Sequence, residues 1–160
     1  MQFIADTMLG KLSRWLRLMG YDVLYKSDAE DNEIIANAKK RTVLTRDRML
    51  FEKAKSEGLY SLLIRSTDLK NQLLQLKEEI GIELQDAPKL SRCPLCNGEV
   101  ESIEKEKVRD KVPPKVFENS EFWICKNCQK IYWEGGHWKN IKEIVKDIEN
   151  EMKNVQNPKK

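Results

Sequence analysis

Residues 3–25 read FIADTMLGKLSRWLRLMGYDVLY, and this stretch decides the fold class. Phe3-Ile4-Ala5 is a short apolar run that ends on an acid, Asp6. Met8, Leu12, Trp15, Leu16 and Met19 then recur at helical spacing until Gly20 stops the helix. Tyr21 to Tyr25 returns to a strand pattern. Parallel strands need a crossover of about a dozen residues between them, and a helix with one apolar face supplies it. Working outward, the unit repeats. Ile34, Ile35 and Ala38 mark a second helix, entered through the acidic segment from Asp28 to Glu33. Thr42-Val43-Leu44-Thr45 is a third strand, and a helix starts near Arg48 and stops at Gly58. Tyr60 to Ile64 is a fourth strand, and Leu69, Leu73, Leu76 and Ile80 share one face of the helix after it. Strands alternating with helices predict an α/β fold, a parallel sheet covered by helices on both faces. Ligands of such sheets collect at the carboxyl ends of the strands.

The alternation breaks at Asp86-Ala87-Pro88. From there to Trp133 the chain reads as strand-like and punctuated, with Pro113-Pro114 in its middle and Gly135-Gly136 after it. Ile141, Ile144, Val145, Ile148 and Met152 lie on one face of a last, amphipathic helix, expected to pack on the protein itself. The expected division is an α/β domain over 1–86, a small β-rich module over 87–134, a C-terminal helix over 135–153 and a polar, disordered tail over 154–160.

Of the 160 residues, 40% are hydrophobic and 34% charged, which allows a real core under an ionic surface. The net charge of +3 does not by itself announce nucleic acid. No apolar run approaches the roughly 18 residues that span a bilayer. Nor does the N-terminus have the charged-then-apolar layout of a signal peptide. The expectation is a soluble cytoplasmic protein with no membrane partner.

The four cysteines form two matched pairs, Cys93-Pro94-Leu95-Cys96 and Cys125-Lys126-Asn127-Cys128. Each pair offers two thiolates from one tight turn, and four thiolates fill a tetrahedral zinc site. Strand-like residues around both pairs give the layout of a zinc ribbon, too small to fold without its metal. With no position left for water, one structural zinc is expected. Disulfides or a redox dithiol are the alternatives, and a reducing compartment and two matched pairs argue against them. Phe122, Trp123, Tyr132, Trp133 and Trp138 lie near Lys115, Lys126, Lys130 and Lys139, a mixture suited to base stacking beside phosphates or to packing the ribbon on the first domain.

Carboxylates mark a second candidate site. Asp6 follows the first strand and Asp47 the third, while the second delivers the chain to Asp28, Glu30, Asp31 and Glu33. Three crossings thus bring acids to one edge, and phosphodiester hydrolysis uses such clusters to hold Mg²⁺ or Mn²⁺. Capping of the following helices is the competing reading for Asp28, Asp31 and Asp47. It suits Asp6 less well, since a carboxylate between a buried strand and a helix needs a partner, and a metal is one. Lys11 and Arg14 lie on the helix after Asp6, and Arg46 and Arg48 bracket Asp47. They are candidates to grip a nucleic-acid backbone or to pair with the acids. His137, the only histidine, follows Gly135-Gly136 and either contacts a phosphate or bonds the ribbon to the first domain.

Several stretches together resemble one family. They are Asp6-Thr7-Met8-Leu9-Gly10-Lys11-Leu12, Arg14-Trp15-Leu16-Arg17, Gly20-Tyr21-Asp22 and Thr45-Arg46-Asp47-Arg48. The ribbon adds Arg92-Cys93-Pro94-Leu95-Cys96-Asn97-Gly98, Cys125, Cys128 and the run from Tyr132 to Trp138. The chain resembles, from Phe3 to about Ile141, the PIN-like ribonucleases with a C-terminal zinc ribbon, a domain first named from the C-terminal part of the Mut-seven exonucleases. The resemblance implies a PIN-type fold and metal-dependent RNA hydrolysis with one or two Mg²⁺ or Mn²⁺ ions. By position Asp6 and Asp47 match the family's first and third acids, and Asp31 matches the middle one, with Asp28 and Glu33 as rivals. Asp68 is a candidate fourth acid, but Ser66-Thr67-Asp68 also reads as a helix start.

The leading expectation is therefore a ribonuclease acting on single-stranded RNA, with Asp6, Asp31 and Asp47 as metal-binding acids and Lys11, Arg14, Arg46, Arg48 and His137 on RNA. A noncatalytic RNA-binding adaptor, associated with the ribosome or another protein, is the alternative from a different class. The toxin of a toxin–antitoxin pair is a third. Oligomeric state is not legible.

Overall fold

A computed structural model describes residues 1–87 and 91–156. Four short strands build the first sheet: β1 (Gln2–Ala5), β2 (Asp22–Leu24), β3 (Thr42–Thr45) and β4 (Ser61–Leu63). All pairings are parallel, and the spatial order is β2-β1-β3-β4. A 3₁₀ turn (Thr7–Leu9) leads into α1 (Gly10–Leu18), and α2 (Asp31–Asn37), α3 (Arg48–Ser56) and α4 (Leu69–Ile80) follow the next three strands. Strand parity divides the core. Phe3, Ala5 and Leu44 join α1 and α4 residues in the larger cluster, while Ile4 and Val43 join Ile34, Ile35, Leu50 and Ala54 of α2 and α3 in a second. Both faces are apolar, which is why the strands read as continuous apolar runs rather than alternating ones.

The second sheet is antiparallel, in the order β5 (Val100–Ile103), β6 (Phe122–Cys125), β7 (Ile131–Trp133). The strand-like reading of the whole segment up to Trp133 is corrected here. Between β5 and β6 the chain is helical, with a 3₁₀ stretch over Lys105–Lys111 and α5 over Pro114–Asn119. Pro114 sits in the first turn of α5, where its missing N–H has no helical partner to lose. This insert packs Val108 and Val112 on Phe122, with Phe117 stacked on Phe122 at 6.4 Å between ring centroids.

The last helix, α6 (Gly136–Gln156), buries Trp138, Ile141, Val145 and Ile148 in the larger cluster of the first sheet, as its apolar face predicts. Asn154 to Gln156, expected in the tail, continue this helix. Residues 157–160, and Pro88 of the proposed boundary, lie outside the described residues. No described helix is long and apolar enough to cross a membrane.

Strand β2 is an edge of the sheet, and an open edge invites foreign pairing. Here the first cysteine turn covers it. The Val23 N–H donates to Asn97 Oδ1 at 3.0 Å, and the Val23 carbonyl accepts from Arg17 Nε at 3.0 Å and Nη2 at 2.8 Å. The buried Arg17 also donates through Nη1 to the Pro94 carbonyl at 3.0 Å. Asn97 Nδ2 donates to Asp22 Oδ1 at 2.7 Å, and Arg41 forks onto both oxygens of Asp22 at 2.8 and 3.0 Å. These bonds latch the first cysteine turn to α1 and β2 of the parallel sheet.

The Arg41 hydrogen bonds hold the Asp22 carboxyl below the usual carboxylate range, against the effect of burial, and Asn97 adds to the lowering. A depressed carboxyl stabilises the fold above its unfolded pKa of about 3.9 and loses that contribution as the pH falls through the native value. Asp22→Asn is thus expected to cost about 1–2 kcal/mol at pH 7. The gap from the parent should narrow as denaturant melts move from pH 7 toward pH 3. A gap that is constant with pH would contradict this linkage.

Candidate functional site

The four cysteine sulfurs lie within 4.8 Å of one another. Cys93 and Cys128 are 3.6 Å apart at Sγ, and Cys96 and Cys125 are 3.4 Å apart. A tetrahedral site with Zn–S bonds of about 2.3 Å sets its sulfurs about 3.8 Å apart, so the donor set fits zinc in number, softness and spacing. The residues after each turn, Asn97 and Gln129, have positive φ of 66° and 62°, which reverses the backbone around the sulfurs. Asn127 and Cys128 aim their N–H groups at Cys125 Sγ from 3.4 and 3.5 Å. Gly98 is required by close approach, since a Cβ there would fall 2.9 Å from Cys125 Sγ and 2.8 Å from the Asn127 Cβ. The Tyr132 hydroxyl lies 3.0 Å from Cys93 Sγ. Burial, then the Cys93 thiolate, push the Tyr132 pKa up, so the phenol stays protonated and donates to the sulfur. This is an outer hydrogen bond of the kind that orients metal ligands.

The acids are arranged differently. Asp6 is 4% exposed at the carboxyl end of β1. One oxygen accepts the Met8 N–H at 2.8 Å, and the other accepts the Arg46 N–H at 2.8 Å and the Thr45 hydroxyl. Asp6 therefore does cap a turn, the 3₁₀ turn over Thr7–Leu9, contrary to the reading that a cap suits it less well. Asp47, exposed after the neighbouring strand β3, caps α3 through the Met49 and Leu50 N–H groups at 2.7 and 3.3 Å. Its own N–H donates to Thr45 Oγ1 at 2.9 Å. One hydroxyl thus joins the Asp6 carboxylate to the Asp47 backbone, at the edge where the parallel topology puts both.

Asp31 is the exposed first residue of α2. Among the described residues, the cysteines are the only group of three or more metal-ligating side chains within 4.8 Å of one another, so Asp6, Asp31 and Asp47 are not gathered to that distance. Neither Asp28 nor Asp31 caps α2. Glu30 holds the cap position without a side-chain bond, and Asp28 and Glu33 pair with Lys26 at 3.6 and 3.4 Å. Asp68 caps α4 through the Asn71 N–H at 3.1 Å, in line with its helix-start reading.

Lys11 and Arg14 lie on the exposed face of α1, Arg48 is exposed and Arg46 is half-buried. None of the four forms an ion pair among the described residues, so the charge-neutralising alternative finds no partner. His137 is exposed in the first turn of α6. The aromatic set separates: Phe122, Trp123 and Trp138 are buried and unavailable to bases, whereas Tyr132 and Trp133 are half-buried.

Thr45 is the site residue that sequence reasoning missed. Its signal was a hydroxyl at a fully buried strand position, because such a group must find partners. Thr45→Val keeps the shape and deletes the bridge. It should destabilise the chain by about 1–3 kcal/mol, since Asp6 and the Asp47 N–H each lose a buried partner, and Thr45→Ser should recover most of that. Calorimetric melts of the two variants check this, and equal melting temperatures would contradict the bridge.

A family model described as Mut7-C RNAse domain matches residues 1–145, which span the parallel sheet, both cysteine pairs and the start of α6. No match was found among curated proteins or among solved structures. The likeness carried by the Asp6 and Asp47 stretches and the ribbon is borne out, and the chain belongs to the Mut7-C RNase domain family.

Proposed function

We propose that this chain is a metal-dependent ribonuclease that hydrolyses phosphodiester bonds of single-stranded RNA, built on a PIN-like α/β domain with a structural zinc ribbon. The observation that carries the reading is the rim itself. At the ends of adjacent parallel strands the Thr45 hydroxyl joins the Asp6 carboxylate to the Asp47 backbone N–H, beside four cations that have no ion-pair partner among the described residues. Family membership supports RNA as the substrate.

In this reading Asp6 and Asp47, with the exposed Asp31, hold one or two Mg²⁺ or Mn²⁺ ions. Carboxylate oxygens suit such hard cations, which when bound polarise the phosphoryl group and lower the pKa of water. The chain's own side chains do the rest. Three donors converge on Asp6 and fix its carboxylate in one rotamer. Arg46 and Arg48, on either side of Asp47, grip the scissile phosphate, and guanidinium forks suit two phosphate oxygens at once. Lys11 and Arg14 hold flanking phosphates. The zinc site is closed by its four sulfurs and serves the fold rather than the reaction.

One observation favours the noncatalytic alternative: Asp6, Asp47 and Asp68 all have capping roles, and the three proposed acids are not gathered. The test separates the two readings. Purified chain with single-stranded RNA should cleave on addition of Mn²⁺ and stop when Asp47 is changed to Asn. RNA binding with no Mn²⁺-stimulated cleavage would make the chain an adaptor.

A further inference from the structure

Two grooves outside the acidic rim join into one. The larger, of about 480 Å³, lies between α1, the first cysteine turn, β7 and the start of α6, and Arg14, Leu95, Lys130, Tyr132 and His137 line it. The second, of about 330 Å³, shares Arg14, Pro94 and Leu95 with the first and continues to Tyr25 and Lys26. At its far end the lining Tyr25 is tied to the chain just after the rim acid Asp6, its hydroxyl donating to the Thr7 carbonyl at 3.2 Å.

The charge of this path is one-sided. The chain carries 26 acidic residues in 160, yet among the described residues no Asp or Glu lines either groove. Arg14, Lys130 and His137 are exposed along it, and the helix N-terminus at His137 adds partial positive charge. At its far end Lys26 meets Asp28 and Glu33. Between the cations the lining is apolar, with Leu95 61% exposed and Tyr132 and Trp133 half-buried. Cations spaced along an apolar, partly aromatic floor suit a single nucleic-acid strand, whose phosphates take the charges while its bases cover the floor.

We propose that this groove is the track for the single-stranded RNA leading to the rim, with Lys130 and His137 on phosphates at the distal end, Arg14 at the bend, and bases against Leu95, Tyr132 and Trp133. The track rests on the reading of RNA as the substrate. It gives the ribbon a second role, since the ribbon then forms one wall of the substrate path beside α1.

The test measures fluorescence anisotropy of a labelled single-stranded RNA of roughly 12 nucleotides on the full, zinc-loaded chain, with no Mg²⁺ or Mn²⁺ added. Lys130→Glu is exposed, so the fold should hold, which zinc content and circular dichroism confirm. It should weaken binding about 3–10-fold and flatten the log affinity against log salt slope by about one. Arg14→Glu should do the same. Lys146→Glu makes the same charge change about 14 Å along α6 from His137 and should bind like the parent. RNA carrying 4-thiouridine should crosslink to peptides containing Leu95 or residues 130–137. Equal affinity of the Lys130, Arg14 and Lys146 variants would overturn the track, as would crosslinks only elsewhere. A polyglutamate peptide that displaces the RNA as well as unlabelled RNA does would assign the groove to acidic protein and overturn it too. Because cleavage is not read, the outcomes stay separate. A parent that never cleaves, with a binding loss in Lys130→Glu, sinks the nuclease and keeps the track. A parent that cleaves, with normal binding in both groove variants, sinks the track and the phosphate contact of Arg14 and keeps the nuclease.

Discussion

Asp47→Asn is expected to lower the rate of single-stranded RNA cleavage by on the order of 10³-fold, about 4 kcal/mol of transition-state stabilisation, and to leave the fold intact. The second half of that expectation makes the variant decisive. Asp47 is exposed and caps α3 through one oxygen, Oδ1, toward the Met49 and Leu50 N–H groups. Asn caps a helix as well as Asp does, and its amide oxygen can accept the same two hydrogen bonds. What it removes is the negative charge and an oxygen donor for a hard cation. Asp6→Asn is a poorer probe. Three donors converge on the buried Asp6 carboxylate, and an amide must turn its NH₂ against one of them. It should therefore lose about 1–3 kcal/mol of stability along with activity. Equal cleavage rates in the parent and the Asp47 variant, with Mn²⁺ saturating, would remove Asp47 from the reaction.

The largest effect on stability should come from the cysteine site. The ribbon's three strands hold three or four residues each, and its own core is the small cluster around Val108, Val112 and Phe122. Such a unit does not fold on apolar burial alone, and zinc binding supplies about 10–16 kcal/mol in small modules of this kind. Metal analysis should give about one zinc per chain. Stripping it with a chelator, or Cys96→Ser, should unfold the ribbon and reach further. Arg17 would lose its Pro94 acceptor while buried, the Val23 N–H would lose Asn97, and the β2 edge would open. A loss of even about 5 kcal/mol would lower the melting temperature of a chain this size by about 10–20 °C. A chelated chain that melts like the parent would show that the thiolates hold no structural metal.

The parts that sequence reasoning reached share a local cause. Phe3-Ile4-Ala5 and Thr42-Val43-Leu44-Thr45 are buried on both faces, so they appear as unbroken apolar runs between amphipathic helices. Parallel topology then brings the residues after them, Asp6 and Asp47, to one edge. The two Cys-x-x-Cys turns are likewise self-announcing. The parts it missed depend on contacts far apart in the chain. Arg17 and Asn97 form the latch across 74 to 77 residues, and neither has a neighbour that betrays the partner. Thr45 links the Asp6 carboxylate to the Asp47 backbone only because β1 and β3 are adjacent. The helical insert before β6 is short and charged, and Pro113-Pro114 reads equally as a strand break and as a helix start; the structure takes the second. Asp31, matched by position alone, is the exposed first residue of α2.

Asp6 and Asp47 are proposed to hold a hard divalent cation together. Crystals of the chain soaked in Mn²⁺, at a concentration that supports cleavage, test it through anomalous scattering. The expected result is a peak at the rim within about 2.0–2.6 Å of carboxylate oxygens of Asp6 and Asp47, absent from Asp47→Asn crystals treated alike. Strong manganese peaks elsewhere with none at the rim, in a chain that cleaves RNA, would contradict it.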